Sequence, residues 1–302
     1  MFKGSTWDFF RGGSRTAAAR DAAWRATAHA APKAPTKSPA RARILCVASG
    51  KGGTGKSVLA SNIAVQRARR GERVLLIDFD AGMANAHLLL GVQPKFDLGH
   101  VLDGEVSAAF AAVQGPHGLF MISGGVGRAS LLNPTPRELE RLFTALTPLE
   151  SEFDLIVVDH GAGLSYATLA HLAAAQKLLL VTTHEVTSLS DAYALYKQAV
   201  IVNSAIHVGV VLNRVPDEVA ARSAWTRFSG AAEKFLSKTP AVIGWVPHDD
   251  SVVHSVQARQ PITLREPDSP AGRAIARIAD WNAIDEAYVS GSFYDAARRA
   301  LR

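Results

Sequence analysis

"SGKGGTGKSVLASN", residues 49–62, decides the fold. It carries the phosphate-loop spacing Gly50-x4-Gly55-Lys56-Ser57. The apolar run "ILCVAS" (44–49) precedes it, and Lys56–Arg70 reads as a helix. Strand, glycine-rich turn and helix in that order are the context the motif requires. The glycines let backbone N–H groups and the helix N-terminus converge on phosphate oxygens. Lys56 is expected to reach the β- and γ-phosphates, and the Ser57 hydroxyl to ligate Mg²⁺. The nucleotide contacts are placed at Gly50, Lys51, Gly52, Gly53, Thr54, Gly55, Lys56, Ser57 and Val58. The motif does not ask for a second lysine, yet Lys51 supplies one.

Outward from this loop, apolar runs alternate with helical stretches. The strands are read at 44–49, 73–79, 118–123, 154–159, 177–183, 207–213 and 241–246. Most are continuous apolar runs, as strands covered on both faces must be. Helices are expected at Lys56–Arg70, Pro136–Glu150, Ser188–Val202 and Glu218–Ser237. The fold class is therefore α/β: one doubly wound, mostly parallel sheet with helices on both faces and nucleotide at the strands' carboxyl ends. The chain divides into a basic extension (1–43), a nucleotide-binding α/β domain (44–282) and a tail (283–302).

The 302 residues are 48% hydrophobic and 20% charged, enough for a sizeable core. No apolar run reaches the roughly 18–20 residues that span a bilayer. Cys46 is the sole cysteine, which excludes disulfides and cysteine-rich metal sites and suits a reducing cytoplasm. Of the net charge of +6, residues 1–43 hold nine Lys/Arg against two Asp/Glu. The rest of the chain is nearly neutral, so nucleic acid is not an expected partner of the globular part. The extension has too few aliphatic residues to offset ordering entropy and is expected to be mostly disordered. Within it lie an aromatic cluster, "WDFF" (Trp7 to Phe10), and an Ala-rich stretch, Thr16 to Ala30. Its arginine-rich, acid-poor start also has the composition of a transit peptide, although no cleavage cue accompanies it.

"KGGTGKS" (51–57) resembles the deviant phosphate loop of the MinD/ParA ATPases, P-loop NTPases of the SIMIBI type. The resemblance covers about residues 43–282. It implies ATP and Mg²⁺ as cofactors, a weak and dimerisation-dependent ATPase, and a homodimer in the ATP state. In that family the early lysine crosses a two-fold interface to the partner's nucleotide, so Lys51 is expected to act in trans. Phosphoryl transfer is catalysed mainly by positioning and charge neutralisation, which such a cation provides only on pairing. "DFDAGMAN" (78–85) is similar to switch I, with Asp80 orienting the attacking water and Asp78 supporting near Mg²⁺. "DLIVVDHGAG" (154–163) is similar to the Walker B strand and switch II. There Asp159 holds a magnesium-bound water, and Gly161 and Gly163 admit the γ-phosphate. His87, His160 and His184 depart from the family pattern. Asn213 and Arg214 are expected at the adenine, with backbone around Pro247 to Asp249 closing the base pocket.

"VTTHEVTSLSDAYALYK" (181–197) resembles the flagellar number regulators of the FlhG/FleN type. This implies control of flagellar number or placement through an FlhF-type GTPase or a flagellar transcription activator. MinD-like division-site positioning or ParA-like DNA and cargo positioning are the alternatives. The helix in this stretch is expected to be capped by Ser188 or Ser190. The family's N-terminal "DQA..LR" segment is not present in that form, which puts activation of the GTPase in doubt. Residues 293–302, "FYDAARRALR", set Phe293, Tyr294, Ala297 and Leu301 against three arginines. That pattern is expected to be either a peripheral membrane helix at the inner face of the cell membrane or a simple surface helix.

Overall fold

The computed structural model describes residues 41–80, 84–125, 131, 133–281, 284 and 291–302. The aromatic cluster at 7–10, the Ala-rich stretch at 16–30 and Ala81 to Met83 of the switch I segment lie outside them.

Eight strands form one sheet: β1 (Arg43–Ala48), β2 (Val74–Phe79), β3 (Val113–Gln114), β4 (Phe120–Ile122), β5 (Leu155–His160), β6 (Lys177–Thr182), β7 (His207–Val215) and β8 (Ala241–Pro247). Their order is β3-β4-β2-β5-β1-β6-β7-β8. All pair in parallel except the β3–β4 edge, a short antiparallel pair that the apolar pattern did not announce. The longer helices are α1 (Lys56–Arg69), α2 (Pro136–Leu146), α3 (Tyr166–Ala174), α4 (Val186–Val202), α5 (Glu218–Leu236), α6 (Asp250–Gln257), α7 (Pro270–Ile278) and α8 (Phe293–Arg299).

The continuous apolar runs have the cause assigned to them. Alternate residues of β1 go to opposite faces: Ile44, Cys46 and Ala48 enter one core, Leu45 and Val47 the other. Burying one such aliphatic side chain stabilises by about 1.5–3 kcal/mol. The second core holds α1 and α7 residues; the first holds residues of α2 to α5 and of α8.

Helix ends follow local chemistry. Thr135 opens α2 with a capping box, its hydroxyl accepting from Glu138 N while Glu138 receives Thr135 N. The helix expected to run to Glu150 stops at Leu146, because Pro148 forces a 3₁₀ turn over Thr147–Ser151. Neither Ser188 nor Ser190 caps α4, whose cap position is Glu185. Ser188 lies one turn inside, where its Oγ accepts from Thr183 N at 3.1 Å and ties the helix to the end of β6.

The tail expectation is corrected. Phe293, Tyr294 and Ala297 are at most 1% exposed and belong to the core that holds Phe143 and Tyr196. The apolar stripe, expected either at a membrane or on a surface helix, is turned inward against α2 and α3. The buried carboxylate of Glu150 fixes its start. Glu150 accepts from Ser292 Oγ and Tyr294 N at 2.8 Å each, and from Phe293 N at 3.3 Å. It also pairs with Arg41 at 3.2 Å. Among the described residues no helix is long and apolar enough to cross a membrane.

Candidate nucleotide site

The chain reaches the top of β1, between β5 and β6, where the strand order switches direction. Two glycines explain how the loop fits there. Gly55, just before α1, has φ of +82°, and a Cβ there would strike the Asn213 amide. A Cβ on Gly50 would run into the backbone of Asp191 in α4, so the phosphate loop and α4 are in direct contact. Gly163 N donates to Ser49 O at 2.9 Å, joining the loop after β5 to the base of the phosphate loop.

Lys56 is 7% exposed and its Nζ bonds Asp159 Oδ1 at 2.6 Å and Ser57 Oγ at 3.2 Å. The fold thus brings Lys56, Ser57 and Asp159 together. Among the described residues, Asp159 Oδ2 is buried without a hydrogen-bond partner, as is Thr54 Oγ1. A buried carboxylate oxygen of this kind beside a hydroxyl fits a hard divalent cation, whose ligands are oxygens. Asp78 lies level with Asp159 in the β2–β5 ladder. Burial, and then the charge of Asp159, push its carboxyl up to about 7. Its oxygens accept from Asp80 N at 2.9 Å and Ala86 N at 3.1 Å, so Asp78 braces the switch I backbone. Asp80 stands at the end of β2, with its Cα 3.8 Å from the point where a Cβ on Gly161 would lie.

Lys51 points elsewhere. Its Nζ donates to Thr187 Oγ1 at 3.2 Å and stands 3.8 Å from Glu185 Oε2, both at the start of α4. The side chain is 45% exposed. Sequence reasoning missed this intrachain seat, although "HEVTS" (184–188) stood beside the recognised run.

On the other side, Asn213 Nδ2 donates to Thr54 O at 2.7 Å and Arg214 Nη1 to Gly53 O at 3.2 Å. Both expected base contacts thus rest on the phosphate loop. Arg214 has φ of +55°, an uncommon backbone setting that aims it there. Pro247 closes β8 opposite Val215. The Asp249 side chain serves the fold instead, capping α6 at Ser251 N and accepting from Ala271 N at 3.0 Å. Although partial burial opposes it, these bonds hold its carboxyl below the usual range.

A ring cluster underlies the ends of β2 and β5. Phe79, preceding Asp80, meets His171 edge-on at 4.7 Å between centroids. His160, following Asp159, lies 5.1 Å from His171. Phe143, Phe293 and Tyr294 complete it. Burial, and then the nearby Lys56 charge, lower His160 to about 3; burial, and then His160, hold His171 well below its ordinary value. His160 Nε2, both His171 nitrogens and the Tyr294 hydroxyl have no hydrogen-bond partner among the described residues. Each such group costs about 1–3 kcal/mol.

This geometry is that of a known family. Residues 45–262 match the CobQ/CobB/MinD/ParA nucleotide binding domain. The antiactivator FleN of Pseudomonas aeruginosa is 31% identical over 237 residues, covering 78% of this chain and 85% of that protein. The flagellum site-determining protein YlxH of Helicobacter pylori is 28% identical, over 78% of this chain and 80% of its own length. Among solved structures, the septum site-determining protein MinD of Pyrococcus horikoshii, complexed with Mg-ADP, superposes with a TM-score of 0.64. It is 25% identical, over 79% of this chain and 95% of that one. The eight-stranded, mostly parallel sheet is the P-loop fold of MinD and ParA, and the chain belongs to the CobQ/CobB/MinD/ParA nucleotide-binding family.

Proposed function

We propose that this protein is a switch ATPase that pairs face to face when ATP is bound and separates after hydrolysis. The observation that carries the reading is the contrasting placement of two lysines. Lys56 is buried against Asp159, while Lys51 is half-exposed on the neighbouring surface. In this reading the phosphate-loop N–H groups and Lys56 orient the triphosphate, and Asp80 orients the attacking water. Mg²⁺, when bound, neutralises phosphate charge, and Ser57 and Asp159 would hold it. Asp78 keeps switch I in place. Asn213, Arg214 and the backbone near Pro247 border the base. Lys51 leaves Glu185 and Thr187 to reach the partner's nucleotide, so turnover waits for pairing. Pairing is a population shift, in which ATP must bind the dimeric arrangement more tightly than the monomeric one.

The biological setting we propose is control of flagellar number or placement in the cytoplasm. The similarity to FleN and the run Val181–Lys197 support it. Its partner would be a flagellar transcription activator or an FlhF-type GTPase, bound on switch surfaces. The similarity to MinD favours a second reading, positioning of the division site or of a cargo. Light scattering with ATP and a phosphate-release assay on wild type and Lys51→Ala test the switch. The variant should keep nucleotide but neither dimerise nor turn over; normal turnover as a monomer would refute the reading.

A further inference from the structure

Helix α8 lies against α3, the helix that follows the loop after β5, and is tied to it at both ends. At its start, Phe293 stacks on His171 with centroids 5.3 Å apart and ring planes 26° from parallel. His171 in turn meets His160 and Phe79, the residues that adjoin Gly161 and Asp80 in the chain. Just past its end, Leu301 O accepts from the hydroxyl of Tyr166, the first residue of α3, at 3.1 Å. Arg302 pairs with Glu140 of α2 at 2.9 Å, so the strap also grips the neighbouring helix. Between these grips Ala162, Leu164 and Ser165 are exposed.

We propose that α8 is a positioning strap for the reaction centre, with Phe293 and Tyr166 as positioning residues. Phe293 acts through His171 on His160 and Phe79, and so sets where Gly161 and Asp80 stand. Tyr166 fixes the far end of the same loop. This rests on the ATPase reading above and adds to it a part of the chain outside the phosphate loop and switches. Interiors are close-packed, so a ring removed from this stack frees its neighbours to move. A shift of about 1 Å at reacting groups can lower a rate about 100-fold. A helix serving only as a detachable tail would not need its first residue stacked on the one ring, His171, that meets the neighbours of both Asp80 and Asp159.

The test uses the full chain as wild type, Phe293→Ala, Phe293→Leu and Tyr166→Phe. Phosphate release, affinity for a fluorescent ATP analogue and hydrogen exchange of residues 78–80 and 160–166 are measured on each. Phe293→Ala should lower turnover about 10- to 100-fold while nucleotide affinity stays within about threefold. Exchange at 160–166 should rise, and Phe293→Leu should recover most of both losses. Tyr166→Phe, a surface change that leaves the core intact, should raise exchange at 161–166 with a smaller fall in rate. It decides the matter alone if Phe293→Ala does not fold. Unchanged turnover, or faster exchange confined to residues 291–302, overturns the inference. A wild type that hydrolyses no ATP would instead refute the ATPase reading, and exchange with a non-hydrolysable analogue would still test the strap.

Discussion

The substitution His171→Phe should make the protein less sensitive to acid. His171 is fully buried among rings, has no partner for either nitrogen among the described residues, and is held neutral in the folded state. Its folded pKa is depressed, so below about pH 6.5 the unfolded chain binds a proton that the folded chain refuses. Stability is therefore lost as pH falls through the unfolded value. At 1.36 kcal/mol per pH unit, the loss between pH 8 and pH 5 is about 2 kcal/mol for this ring. His160, lowered to about 3, adds about the same. Asp78 works in the opposite sense, since a carboxyl raised to about 7 favours the folded state as pH falls. That contribution is common to wild type and variant and cancels in their difference. Phenylalanine nearly preserves the ring's volume and removes two desolvated nitrogens. Urea unfolding at pH 8, 6.5, 5.75 and 5 should show the variant gaining on wild type by about 2 kcal/mol across the series. A constant difference at all four pH values would mean that His171 takes up its proton as readily inside the fold as in the unfolded chain, and the reasoning would fail.

Three further outcomes follow from the same geometry. Lys56→Ala should reduce nucleotide binding by at least about 100-fold by titration calorimetry, because it removes a charge-assisted contact and leaves Asp159 unpaired. Asp80→Ala should still dimerise with ATP in light scattering but release phosphate slowly. Glu150→Gln should lower stability by about 3 kcal/mol in urea unfolding, since one amide oxygen cannot serve the donors of Ser292, Phe293, Tyr294 and Arg41. A fourth concerns Cys46, which is 0% exposed with its thiol pushed up by burial. It should resist thiol reagents in the native protein and react only on unfolding.

The parts of this molecule legible in its sequence are those set by local pattern. The phosphate loop needs consecutive glycines and a following helix, and the covered strands need unbroken apolar runs; both occupy adjacent positions in the chain. What stayed hidden depends on residues far apart. Nothing near Glu150 announces that its carboxylate receives the start of a helix more than 140 positions later. The resemblance speaks only of the backbone around Pro247 to Asp249, and nothing nearby in the chain announces that Ala271 N bonds the Asp249 carboxylate. Ser188 has the composition of a cap, and only the return of β6 gives its hydroxyl a different partner. Residues 293–302 have an apolar stripe that suits a lipid surface or a protein interior equally well, and the ring cluster decides between them. Lys51 was legible as a special residue, but its resting contacts with Glu185 and Thr187 depend on how α4 approaches the loop.

The arrangement around Glu150 has a mechanical consequence. Ala42 N bonds its carbonyl at 2.6 Å, Arg41 reaches its carboxylate, and the first turn of α8 hangs from the same two oxygens. The segment entering the sheet and the first turn of α8 are thus moored to one residue. Tension on the basic arm ahead of Arg41 would load that mooring together with the strand. Force entering at Arg41 is then shared between β1 and a few hydrogen bonds to Glu150.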